Sequence, residues 1–195
     1  MDTDFPDVLS RHPVPRHRLT REEYHRLGEA GILGEDDRVE LLDGQLVDMS
    51  PIGPRHALAV DALTKLLVMA VGERASVRVQ NPIELDARTE PQPDIALVRR
   101  PWRSYPTTHP GPEDVFLLIE VADASLEIDR GAKLELYARA GIRELWIVDL
   151  TTDGVFVHRK PRGDKYDVVM RVEPSGVLGV EGLPGVAIPA ASLFA

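Results

Sequence analysis

Two stretches decide the reading of this chain: Pro93-Asp94-Ile95-Ala96-Leu97-Val98 and Phe116-Leu117-Leu118-Ile119-Glu120-Val121. Each is an apolar run of strand length, rich in Ile, Leu and Val. In each, a lone carboxylate begins or interrupts the run. A carboxylate inside an apolar run is costly unless something pairs with it. Strand interiors disfavour Glu in any case. Two acids on segments that can be sheet neighbours point to a divalent cation as the partner. Lys133 follows, near the start of a helix-like segment. Helical side chains lean toward the helix N-terminus, so its ammonium points back toward the end of the Glu120 strand. Tyr137, one turn later, shares that face.

Working outward, Thr20-Arg21-Glu22-Glu23 is a capping-box pattern that opens a helix ending near Gly28 or Gly31. Asp43-Gly44 between Arg38–Leu42 and Gln45–Met49 is a hairpin signal. From His56 to Val71 apolar residues recur at helical spacing, with Leu58, Ala62, Leu66 and Met69 on one side and Val60, Leu63 and Leu67 beside them. That helix is apolar over much of its surface, which predicts packing against a sheet. Strands are predicted at Val77–Val79, Ile83–Leu85, Ile95–Val98, Val115–Val121 and Glu144–Leu150. An antiparallel pair is predicted at Gly154–Arg159 and Tyr166–Arg171. A helix over Asp129–Ala140, capped by Asp129 and closed by Gly141, lies between the strands. The order predicts an α/β (α+β) fold, a mixed β-sheet flanked by helices. Residues 1–18 read as an extended N-terminal arm and residues 19–195 as one domain.

The 195 residues are 43% hydrophobic and 28% charged, an ordinary globular balance. No apolar run reaches the length of a membrane span. The acidic N-terminus does not read as a secretory signal, so a cytoplasmic location is expected. The absence of cysteine excludes disulfides, thiolate catalysis and Cys-type zinc sites. A formal net charge of −9 argues against a protein that coats nucleic acid. It leaves room for a nuclease, because carboxylates gathered at a metal site add negative charge. Arg99, Arg100 and Arg103 form the densest basic cluster nearby, and read as a solvated loop.

Phosphodiester hydrolysis needs an activated water and a stabilised leaving oxygen, which divalent ions held by carboxylates can supply. Mg²⁺, or Mn²⁺, prefers oxygen ligands and keeps several waters. Asp94 and Glu120 are the candidate ligands, with the Val121 carbonyl as a further oxygen. Glu40 on the hairpin is either a solvent-facing strand acid or an additional ligand. Lys133 is placed to orient the attacking water or offset phosphate charge. His56 reads as a helix-start residue or a substrate contact, and Tyr137 as a core residue or a substrate contact.

Pro93-Asp94 followed by Glu120-Val121-Ala122 resembles the PD-(D/E)xK nuclease signature. The wider pattern includes Glu40-Leu41-Leu42-Asp43-Gly44, Ser50-Pro51 with Gly53 and His56, Gln92-Pro93-Asp94 and Asp129-Arg130-Gly131-Ala132-Lys133. With Leu136 through Asp149, it resembles the Uma-type family of restriction-endonuclease-like proteins. The resemblance implies a restriction-endonuclease-like fold, with Asp94 and Glu120 as metal ligands. It also implies a lysine in the third role. Where the superfamily's simplest form has that lysine, this chain has Ala122, and Lys133 is its expected replacement. The function expected is a Mg²⁺-dependent endonuclease acting on DNA, as a homodimer. The alternative is a nuclease-fold binding or regulatory module without activity.

Overall fold

A computed structural model of the chain describes residues 15–34, 36–99, 105–123 and 129–194. Most of the expected N-terminal arm, and Arg100 and Arg103, lie outside them. The first helix, α1 (Arg21–Glu29), starts at the predicted capping box: Thr20 accepts from the Glu23 N–H, and Glu23 accepts from the Thr20 N–H. It buries none of its residues, so polar contacts hold it in place. The Tyr24 hydroxyl donates to the Val39 carbonyl at 3.1 Å, and His25 Nε2 lies 2.9 Å from buried Glu90. Arg21 pairs with Glu84. Burial alone would raise the Glu84 carboxyl, but the His109 N–H and the Arg21 guanidinium outweigh it and hold it below the usual carboxylate range.

The Asp43-Gly44 hairpin forms between β1 (Val39–Leu42) and β2 (Gln45–Asp48). Both turn residues take positive φ, 49° and 77°, as a two-residue turn of this hand requires. Helix α2 (Pro54–Val71) follows, then β3 (Ser76–Val79), β4 (Ile95–Val98) and β5 (Val115–Ala122). A π-helical turn (Asp129–Lys133) leads into α3 (Leu134–Arg139). Then come β6 (Glu144–Asp149), β7 (Gly154–Arg162), β8 (Lys165–Val172) and the two-residue pair β9 (Val177–Leu178) and β10 (Ile188–Pro189). Among the described residues no helix is long and apolar enough to cross a membrane.

Strands β3 to β8 form one six-stranded sheet in sequence order. Every pairing is antiparallel except β5–β6. A parallel pair needs a long crossover, which the segment containing α3 supplies. Side chains alternate between two faces, as strand geometry demands. Leu97, Leu117, Ile119 and Trp146 meet Leu63 and Leu67 of α2 on one face. Ala96, Leu118, Leu145 and Ile147 meet Tyr137 and Ile142 on the other. Each fully buried Leu or Ile contributes about 2 kcal/mol from area alone.

Two expectations need correction, and the structure decides which side of α2 is buried. Ile83 and Leu85 are buried but form no strand, because their N–H groups bond to Pro91 and Thr89 in an irregular loop. Leu58 and Met69 point outward, 57% and 74% exposed, whereas α2 buries Ala59, Val60, Leu63, Leu67 and Val71. An almost uniformly apolar helix gives periodicity little contrast with which to choose a face. The helix predicted to begin at Asp129 starts instead with the π-helical turn. Gly141 closes it as expected, at φ 78°, with Ile142 N–H bonding the Tyr137 carbonyl.

Candidate active site

Pro93 lacks an N–H, so the ladder of β4 begins after it. Asp94 sits one step before the register pair Ile95↔Ile119, and therefore opposite Glu120. Both side chains share the face that carries Ala96 and Leu118. Like charges directly opposite repel, so the sheet alone disfavours this pair. Asp94 Oδ2 accepts from the Val121 N–H at 2.8 Å and lies 3.0 Å from His56 Nε2, which comes from the first turn of α2. Gln80 Nε2 donates to Asp94 Oδ1 at a long 3.4 Å. Gln80 takes positive φ, 50°, where β3 ends, a strained conformation of the kind found at functional sites.

Lys133 Nζ lies 3.4 Å from Glu120 Oε1 and 3.1 Å from Glu40 Oε1, and all three residues are buried. The π-helical turn delivers it; such turns recur at functional sites. Ala122, where a lysine stands in the superfamily's simplest form, is fully buried core. The Tyr137 hydroxyl donates to Glu120 Oε1 at 2.5 Å. Its ring is fully buried, and its hydroxyl meets the site at the Glu120 carboxylate. Glu40 Oε2 accepts from the Gln92 N–H at 3.1 Å. The structure thus brings together Asp94, Glu120, Lys133, Glu40 and His56 around one cleft.

Residues that sequence reasoning missed also line the cleft: Gln80, Gln92, Asp48, Asp123 and Arg38. The adjacent Gln80-Asn81 before Pro82 was the available signal for a turn that aims a polar side chain inward. Arg99 does not join the site, since its guanidinium bonds the Glu113 carbonyl and lies over the Phe116 ring.

Acids outnumber cations in the cleft lining: Glu40, Asp48, Asp94, Glu120 and Asp123 against Arg38 and Lys133. That imbalance suits a divalent cation. Among the described residues no three His, Asp or Glu side chains form a ligand set by themselves. Two carboxylates fit Mg²⁺ or Mn²⁺ nevertheless, because Mg²⁺ keeps several waters. The Val121 N–H faces Asp94, and the N–H and carbonyl of one strand residue point the same way, so the Val121 carbonyl opens on the same gap.

The sequence model of the family described as "Putative restriction endonuclease" (Uma2) matches residues 21–191. The fold is similar to a solved structure from Anabaena variabilis ATCC 29413, described as a putative nuclease belonging to DUF820. The TM-score is 0.69 at 15% identity, over 90% of this chain and 97% of that one. No curated protein matches the sequence.

Proposed function

Because the chain belongs to the Uma2 family, described as "Putative restriction endonuclease", we propose that it is a nuclease, and specifically a metal-dependent endonuclease acting on DNA. The observation that carries this reading is the register that sets Asp94 opposite Glu120, with the Lys133 ammonium beside Glu120. Asp94, Glu120 and the Val121 carbonyl would hold Mg²⁺ or Mn²⁺, which when bound supplies Lewis acidity at the phosphate and lowers the pKa of a water.

The chain's own residues do the rest. Tyr137 and Lys133 both hold the Oε1 atom of the Glu120 carboxylate. Glu40 holds Lys133 in place, and in this reading that role displaces the one of metal ligand. Lys133 orients the attacking water and offsets charge on the scissile phosphate. His56 fixes the Asp94 carboxylate. The first turn of α2 opens on the cleft, and its dipole favours an anionic phosphodiester there. A buried lysine beside Glu120 weighs against an inactive binding module.

The test is cleavage of supercoiled plasmid with Mg²⁺ or Mn²⁺, beside an EDTA control and folded Asp94→Ala and Glu120→Ala proteins. The expected result is nicking by the wild type alone, dependent on metal. Cutting by either variant at the wild-type rate would overturn the reading. RNA and branched DNA run in parallel would define the substrate.

A further inference from the structure

Strand β8 closes one edge of the sheet, and among the described residues no strand pairs with its outer side. An unpaired edge is a template for another strand, and proteins normally blunt it with proline, short length or charge at its centre. This edge runs for eight residues without proline. Its centre is apolar and open, with Val169 54% and Met170 42% exposed.

The sequence of this edge is self-complementary. Lys165, Asp167, Val169, Arg171 and Glu173 alternate along Lys165-Tyr166-Asp167-Val168-Val169-Met170-Arg171-Val172-Glu173. Set a second copy antiparallel, with Val169 facing Val169 across a two-fold axis. Lys165 then stands opposite Glu173, and Asp167 opposite Arg171. The remaining pairs, Tyr166 with Val172 and Val168 with Met170, carry no charge. Slipping the register by two residues one way puts Lys165 opposite Arg171. Slipping it the other way puts Asp167 opposite Glu173. Like charges directly opposite are unfavourable, so the charges select one register. All four charged side chains are exposed, although Arg171 also donates to the Thr152 carbonyl at 3.0 Å and lies over the Phe156 ring. Within one copy Asp167 pairs with Arg162 at 2.9 Å, and Arg171 with Glu173 at 3.4 Å. Exposed pairs of that kind hold little free energy, so trading them for contacts across the axis costs little.

We propose that two copies of this chain associate through β8, in antiparallel register about Val169, to make one sheet continuous across both. A two-fold axis makes such an interface use the same patch on each copy. The assignment stands whether or not the chain cuts DNA, since no residue of the cleft takes part.

Sedimentation velocity of the full chain across a concentration series tests it. The wild type is expected to form a dimer. Val169→Lys, which sets two lysines face to face, is expected to give monomer with unchanged circular dichroism. Asp167→Arg should weaken the dimer about tenfold by opposing Arg171, and Asp167→Arg/Arg171→Asp should restore it. A wild type that stays monomeric at the highest concentration overturns the proposal. So does a dimer indifferent to Val169→Lys, or a charge swap that fails to rescue in a folded protein. Plasmid cleavage by the Val169→Lys monomer would report separately on the catalytic site.

Discussion

At Lys133 a buried ammonium stands 3.1 Å from one glutamate and 3.4 Å from another. Removing two or three charges from water costs several kcal/mol per ion, which their attraction repays only in excellent geometry. Tyr137 and the Gln92 N–H supply the added hydrogen bonds that such a group needs. An apolar set of similar volume often holds a fold as well, so the proposed chemistry accounts for these charges better than stability does. Lys133→Met separates the roles. Cleavage should fall about a hundredfold or more, in line with losing one electrostatic stabiliser at a reacting centre. Mn²⁺ affinity should hold or rise, because a cation beside the carboxylates has been removed. Titration calorimetry with Mn²⁺ alongside plasmid nicking reads both. Cleavage at the wild-type rate would take Lys133 out of the mechanism.

Among the elements, β6 carries two more buried acids in an apolar strand, Glu144 and Asp149. Their surroundings mark them as structural. Glu144 accepts from Trp146 Nε1 at 2.9 Å, from Arg159 Nη2 at 2.7 Å and from the Glu181 N–H at 2.7 Å. It ties β6 to β7 and to the C-terminal tail. Asp149 accepts from Thr151 and Thr152 and shapes the turn into β7. Glu144→Ala would take the buried carboxylate from Arg159 and leave two N–H donors unpaired, and should cost about 3 kcal/mol of stability, read by urea denaturation. A loss below about 1 kcal/mol would show that water replaces the carboxylate freely. Glu144 and Asp149 also show where sequence reading stops. The hairpin, the capped first helix and the strands bearing Asp94 and Glu120 were legible, because local chemistry at Asp43-Gly44 and Thr20–Glu23 specifies them. Which buried acid faces the cleft and which serves a guanidinium depends on partners distant in sequence, such as Arg159 for Glu144. For the same reason the apolar Ile83–Leu85 looked like a strand, and the π-helical turn before α3 left no trace in the periodicity.

For the molecule as a whole, the net charge of −9 and the acids lining the cleft act in one direction. Both oppose gathering Asp94 and Glu120 on one face of the sheet, and both attract divalent cations. The folded state brings these carboxylates together, and the unfolded chain does not. A cation that binds the folded chain alone must therefore stabilise it, by about 2.7 kcal/mol at a hundredfold excess over its dissociation constant. For a domain of this size that corresponds to roughly 5–10 °C in melting temperature. The expected outcome is such a rise with Mg²⁺ or Mn²⁺, reversed by EDTA and absent from Asp94→Asn/Glu120→Gln. The amide pair keeps hydrogen-bond acceptors for the Val121 N–H and the Tyr137 hydroxyl, so the lattice of contacts survives while the charge is lost. An equal rise in wild type and double variant would place the cations on surface acids and remove the metal from the cleft. A rise confined to the wild type would show that a pair of acids unfavourable to folding is retained for the ion it holds.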